Sequence, residues 1–89
     1  MIGHPGALVH IEALLDHGGQ IMLGTVKPIV GVAVAHDGKR TLAMLKRQPG
    51  ETVEQLLQRL DRAVYSATET GARVDEINQP KSDVRYELK

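Results

Sequence analysis

The most regular stretch of the chain places apolar residues at Val53, Leu56, Leu57, Leu60, Ala63, Val64 and Ala67. Steps of three and four residues put these on one stripe of a helix. Glu54, Gln58, Arg59, Asp61, Arg62, Tyr65 and Ser66 then fall on the other side. Thr52, with Gln55 three residues later, has the form of a capping box. Gly71 supplies a left-handed terminator after Thr70. The spacing predicts an amphipathic helix over residues 52–70.

Ahead of it, Ile29 to Ala35 is rich in β-branched residues and is interrupted by Gly31, which favours a strand. Asp37-Gly38 suits a two-residue hairpin turn, with residues 40–47 returning. That turn pairs His36 with Lys39, Val34 with Thr41, Val32 with Ala43 and Val30 with Leu45. The other face then pairs Ala35 with Arg40, Ala33 with Leu42, Gly31 with Met44 and Ile29 with Lys46. The first face is Val/Leu-rich, for the helix to cover, with Leu57 and Leu60 buried against Val30, Val32 and Leu45. The second is apolar at its centre and basic at its margins.

The ends carry weaker patterns. Pro5-Gly6 opens a short helix through His17, ended by Gly18-Gly19, with Leu8, Ile11, Leu14 and Leu15 as its stripe. Ile21 to Val26 reads as a strand broken at Lys27-Pro28. Residues 73–77 form another, and residues 82–89 alternate with period two, with Val84, Tyr86 and Leu88 on one side. The order expected is α–β–β–β–α–β–β: an α+β fold with a small antiparallel sheet and the 52–70 helix across one face. The 89 residues make a single domain, with residues 1–20 as an N-terminal helical appendage.

Composition narrows the function classes. Aromatics are 2% of the chain, Tyr65 and Tyr86 alone, so the core must be aliphatic. Eleven basic residues balance eleven acidic ones, and there is no aromatic platform for bases. Both points argue against a strongly electrostatic nucleic-acid binder. With no cysteine, disulfides, thiolate nucleophiles and cysteine zinc sites are excluded. The N-terminus lacks a basic signal-peptide start, and no apolar run approaches the roughly 20 residues of a spanning helix. A soluble, cytoplasmic protein without a membrane partner is expected.

No arrangement of side chains points to a reaction or a cofactor. His10 and His17 are seven apart, too far for the i, i+4 pair that holds a metal on a helix, and His4 and His36 could join only through tertiary contact. Asp75 and Glu76 face opposite ways on a strand. Asp61 and Glu54 read as helix-surface charges. Ser66 and Ser82 lie outside any nucleophile elbow, and Gly18-Gly19 with Gly24 lacks phosphate-loop spacing. Catalytic, cofactor and metal residues are therefore assigned to none. Residues 1–50 hold five basic and three acidic groups, residues 51–89 six and eight. The basic side of this mild dipole is the hairpin, with Lys39, Arg40, Lys46 and Arg47.

The run Leu45-Lys46-Arg47-Gln48-Pro49-Gly50-Glu51-Thr52, the Leu60-Asp61-Arg62-Ala63 core and the Asp75-Glu76-Ile77-Asn78 ending resemble small uncharacterised bacterial proteins carried on plasmids and integron gene cassettes. The similarity covers roughly residues 22–78 and brings no active site with it. More distantly, the order hairpin, helix and return strand is similar to HicB-type antitoxins in layout, without their acidic, aromatic strand segments. The reading reached is a non-enzymatic interaction protein that self-associates as a homodimer or higher oligomer. Its contact surface is expected to draw on Ile29, Ala33, Leu42, Met44, Lys39, Arg40, Lys46, Arg47 and Tyr86, or on a sheet edge extended by the 82–89 strand. The alternative is a regulator or antitoxin-like protein that touches nucleic acid or a protein partner through the basic hairpin. A third reading, from the enzyme class, is a small-ligand domain using the histidines.

Overall fold

The computed structural model describes residues 7–26 and 29–77. In chain order the elements are α1 (Val9–Asp16), β1 (Gln20–Val26), β2 (Ile29–His36), β3 (Thr41–Lys46), α2 (Val53–Thr70) and β4 (Val74–Asp75). The fold is α+β. The strands form one sheet in the order β1-β2-β3-β4, antiparallel through β3. β4 adds parallel to β3, so the sheet is mixed rather than wholly antiparallel. A strand that follows a helix packed back across the sheet can return in the direction of the strand before it, which a tight turn cannot achieve.

α2 starts and stops where its sequence dictates. Thr52 Oγ1 accepts the Gln55 N–H at 3.0 Å, and Gln55 Oε1 accepts the Thr52 N–H at 2.9 Å. Gly71 closes the helix at φ 77°, its N–H donating to the Ala67 carbonyl. Leu56, Leu60, Ala63, Val64 and Ala67 are buried in one core with Ala33, Ala35, Leu42, Ala43 and Leu45. Leu57 is half-buried at the margin of that core.

The hairpin forms between the expected segments but in a different register. Asp37 Oδ1 accepts the N–H groups of both Lys39 and Arg40 at 2.8 Å, and Gly38 N–H donates to His36 Nδ1 at 2.9 Å. These bonds hold residues 37–40 as a four-residue loop, closed by Asp37 N–H to the Arg40 carbonyl, with Gly38 at φ 98°. An Asx turn of this kind keeps Lys39 and Arg40 off the strand. A bulge follows, with Ala35 opposite Ala43 but His36 opposite Thr41. Val32 therefore meets Lys46, three residues beyond the expected Ala43.

An odd shift exchanges the faces of a strand. Ala33, Ala35, Ala43 and Leu45 line the side under α2, and the bulge sends Leu42 into the same core. Ala33 and Leu42 thus belong to the interior and not to a second, outward face. Val32, 1% exposed, stays outside that core cluster and lines a groove with Val53 and Leu56 of α2, while Val34, Met44 and Met22 belong to the opposite face. Met22, Val34 and Met44 are direct cross-strand partners and form a row across three strands there.

α1 lies beside α2, on the α2 side of the sheet. Its Ile11 is 4% exposed and belongs to the core, with Leu8 and Leu14 packed against it, while Leu15 faces outward. The turn after α1 is tightly seated. A Cβ on Gly19 would stand 2.6 Å from the Leu14 side chain and 2.8 Å from the His36 carbonyl oxygen, so only glycine fits. Tyr86 and the alternating 82–89 segment lie outside the described residues, as do the side chains of Ile29 and Val30.

Candidate functional site

Several of the charged side chains on and beside α2 are structural. Arg59 Nε donates to Glu51 Oε2 at 2.6 Å, and its Nη2 reaches both Glu51 Oε1 at 3.0 Å and the Lys46 carbonyl at 2.9 Å. Its Nη1 donates to Glu76 Oε2 at 2.9 Å. The carboxylates are anchored in turn: Gln48 N–H donates to Glu51, and Lys46 N–H to Glu76. One guanidinium therefore ties the loop before α2, the end of β3 and the residue after β4 to the helix. The Arg59 hydrogen bonds hold the Glu51 carboxyl down to about 2, helped by the Gln48 N–H and opposed by its burial. Arg59 and Glu76 are half-buried members of this clasp rather than free surface charges.

Asp61 departs further from a surface role. It is 7% exposed, and its Oδ1 accepts the N–H groups of His10 and Ile11, each at 2.8 Å. α1 begins at Leu8 without a side-chain cap of its own. A carboxylate from α2 thus caps α1 across fifty residues of chain, satisfying two orphan donors and meeting the positive end of the helix dipole. The sequence does carry the signal. Asp61 lies four residues after Leu57 and three before Val64, within the buried stripe.

The basic residues of the hairpin do not form one patch. Lys39 and Arg40 lie in the turn, whereas Lys46 and Arg47 lie at the other end of β3, about 20 Å away along six residues of strand. Arg40 Nη1 donates to the Gly71 carbonyl at 3.0 Å, and Arg47 Nε to the Glu51 carbonyl at 2.8 Å, so both guanidinium groups are partly spent on backbone.

The sheet's two edges are unlike. β1 reads Gln-Ile-Met-Leu-Gly-Thr-Val and contains neither charge nor proline. Among the described residues, no strand pairs with its outer side. Met22 is 48% and Leu23 43% exposed, on opposite faces. Leu23 is bare because α2 packs over β2, β3 and β4 and not over β1, which among the helices α1 alone touches. Beside Leu23 a shallow groove of about 310 Å³ runs to Val53, itself 46% exposed at the start of α2. A bulge between Gly24 and Val26 ends the regular part of this edge.

A second concavity, about 530 Å³, lies between α1 and α2 above the β2–β3 turn. His10 and His17, seven residues apart on nearly the same face of α1, with His17 at its C-cap, both line it. The rings of His10 and Tyr65 stand 4.6 Å apart at one end. Among the described residues, no group of three or more His, Asp or Glu is placed to hold a metal ion, and no helix is long and apolar enough to cross a membrane. Comparison with protein-family models, with curated proteins and with solved structures finds no match to this chain.

Proposed function

We propose that the chain is a non-enzymatic interaction protein that works as a homodimer, joined edge to edge through β1. The observation that carries this reading is the uncharged outer side of β1, which no strand among the described residues pairs, with Met22 and Leu23 exposed on its two faces. Edges of this kind pair readily, and monomers usually blunt them with lysine, proline or a very short strand. Two copies related by a two-fold axis would pair residues 20–24 antiparallel and extend the sheet across the axis. Each Leu23 and Val53 would gain apolar neighbours from the other copy, and the Met22 row would lengthen.

Two of the carboxylates act as anchors within the chain. Asp37 and Glu51 are both shifted downward, Asp37 chiefly by the N–H groups of Arg40 and Lys39, Glu51 chiefly by Arg59. That is the direction of structural anchoring, opposite to the raised acid of a proton donor. The separation of Lys39 and Arg40 from Lys46 and Arg47 weighs against a regulator that grips nucleic acid through the hairpin. A cytoplasmic setting and carriage on a bacterial mobile element belong to the same proposal, and the identity of neighbouring genes would test the latter.

Light scattering over a wide dilution series is the test of assembly. The wild type should pass from dimer to monomer on dilution, and Leu23→Lys should stay monomeric throughout with its fold intact. A wild type that remains monomeric at high concentration, or a Leu23→Lys variant that still dimerises, would overturn the proposal.

A further inference from the structure

We infer that the cleft between α1 and α2 is a binding site for a small organic cation, an ammonium group carried on an apolar or aromatic body. Its volume of about 530 Å³ falls in the range of roughly 300–1,000 Å³ typical of small-molecule pockets. Leu14, Leu42 and Val64 give it an apolar floor, and the paired rings of His10 and Tyr65 wall one end.

The polar groups around that floor are mostly acceptors. His17 Nδ1 lies 2.8 Å from the Ala13 carbonyl oxygen. A carbonyl can only accept, so in the neutral ring the proton sits on Nδ1 and Nε2 is left as an acceptor. Thr68 Oγ1 donates its proton to the Val64 carbonyl at 2.9 Å and likewise keeps only lone pairs to offer. Glu69 lines the cleft one helical turn beyond Tyr65. Among the described residues, the single cationic side chain of the lining is Arg40. Its Nη1 is engaged with the Gly71 carbonyl, and its Nε lies 4.0 Å from the Asp37 carboxylate. With Arg40 balanced by Asp37, Glu69 supplies the surplus charge, next to an aromatic face. An ammonium group would sit by Glu69 and Tyr65, one helical turn apart on α2, with the His17 acceptor on the α1 wall, while its body covered Leu14 and Leu42. A carboxylate ligand would find one committed guanidinium and two carboxylates.

This site lies on the helices, away from the β1 edge, and does not depend on dimerisation. The test is a titration of the full chain, followed by amide and side-chain NMR, with 2-phenylethylammonium and with phenylacetate, which carries a similar body and the opposite charge. The ammonium should give saturable shifts centred on His17, Tyr65 and Glu69, with an affinity about tenfold above that of phenylacetate. Glu69→Gln, an exposed helix position, should weaken the ammonium by about two- to fivefold and leave phenylacetate no weaker. The Leu23→Lys variant should titrate like the wild type. Absence of saturation, equal affinity for the two probes, or indifference to Glu69→Gln would overturn the assignment.

Discussion

At one edge of the sheet, β4 contributes two residues flanked by charge: Arg73 faces Asp75 at 3.8 Å, and Glu76 is fastened to Arg59 and to the Lys46 N–H. At the other edge, β1 runs for seven residues without a charge and exposes Met22 and Leu23. Both strands satisfy the sheet on their inner side. The difference is in what their outer sides invite. A short, charged, tethered edge resists a further strand, whereas a longer apolar one templates it. The contrast makes β4 the edge tied into the monomer and, on the proposed edge-to-edge dimer, β1 the edge that would meet another copy.

Substitutions at the two edges should therefore act on different quantities. The largest effect on stability is expected from Arg59→Ala, which leaves the nearly buried Glu51 carboxylate and the Glu76 carboxylate without their shared partner. It should cost about 1.5–3 kcal/mol in chemical denaturation, and hydrogen exchange at the Glu76 amide, bonded to the Met44 carbonyl at 2.8 Å, should quicken. Leu23→Lys, by contrast, should change monomer stability by no more than about 0.5 kcal/mol while abolishing assembly. If Leu23→Lys destabilised the monomer as much as Arg59→Ala, the two edges would not divide their roles in this way.

Acid should sharpen the same contrast with a smaller effect. Glu51 ordinarily titrates near 4.5 and is held at about 2 in the fold. A depressed carboxyl stabilises the native state above its unfolded value and loses that contribution as pH falls through the folded one. The melting temperature of the wild type should therefore drop between about pH 4.5 and 2 more steeply than that of Glu51→Gln. Parallel curves would mean that the clasp adds little to the β4 edge. Edge-to-edge pairing at β1, where no residue titrates, should not follow this transition except through global unfolding.

What could be read in advance follows the range of the interactions. α2 is legible to the residue because Thr52, Gln55 and Gly71 act within a turn of themselves and the stripe repeats over eighteen positions. The positive φ of Gly38 is legible for the same reason. The hairpin register is not, because Val32 to Ala35 is apolar on both faces and no alternation chooses between them. The choice falls to the two N–H bonds that Asp37 accepts, which lengthen the turn, and to the bulge at Leu42. Arg59 looks like a surface charge while only its own helix is considered, and Asp61, though within the stripe, does not show there what it meets. Their partners lie on α1, in the loop before α2 and after β4. The strand nature of β1 is readable from its residues, but its position at an unprotected edge depends on which strands lie beside it.

The most direct measurement of the central claim is an isotope-filtered NOE experiment on a mixture of labelled and unlabelled protein at dimer-forming concentration. Intermolecular contacts should be confined to the β1 edge, with backbone protons of residues 20–24 paired antiparallel across the two-fold axis and side-chain contacts from Leu23 and Val53. Intermolecular contacts that instead join β4, the Met22–Val34–Met44 face or the outer side of α2, with none along β1, would contradict it.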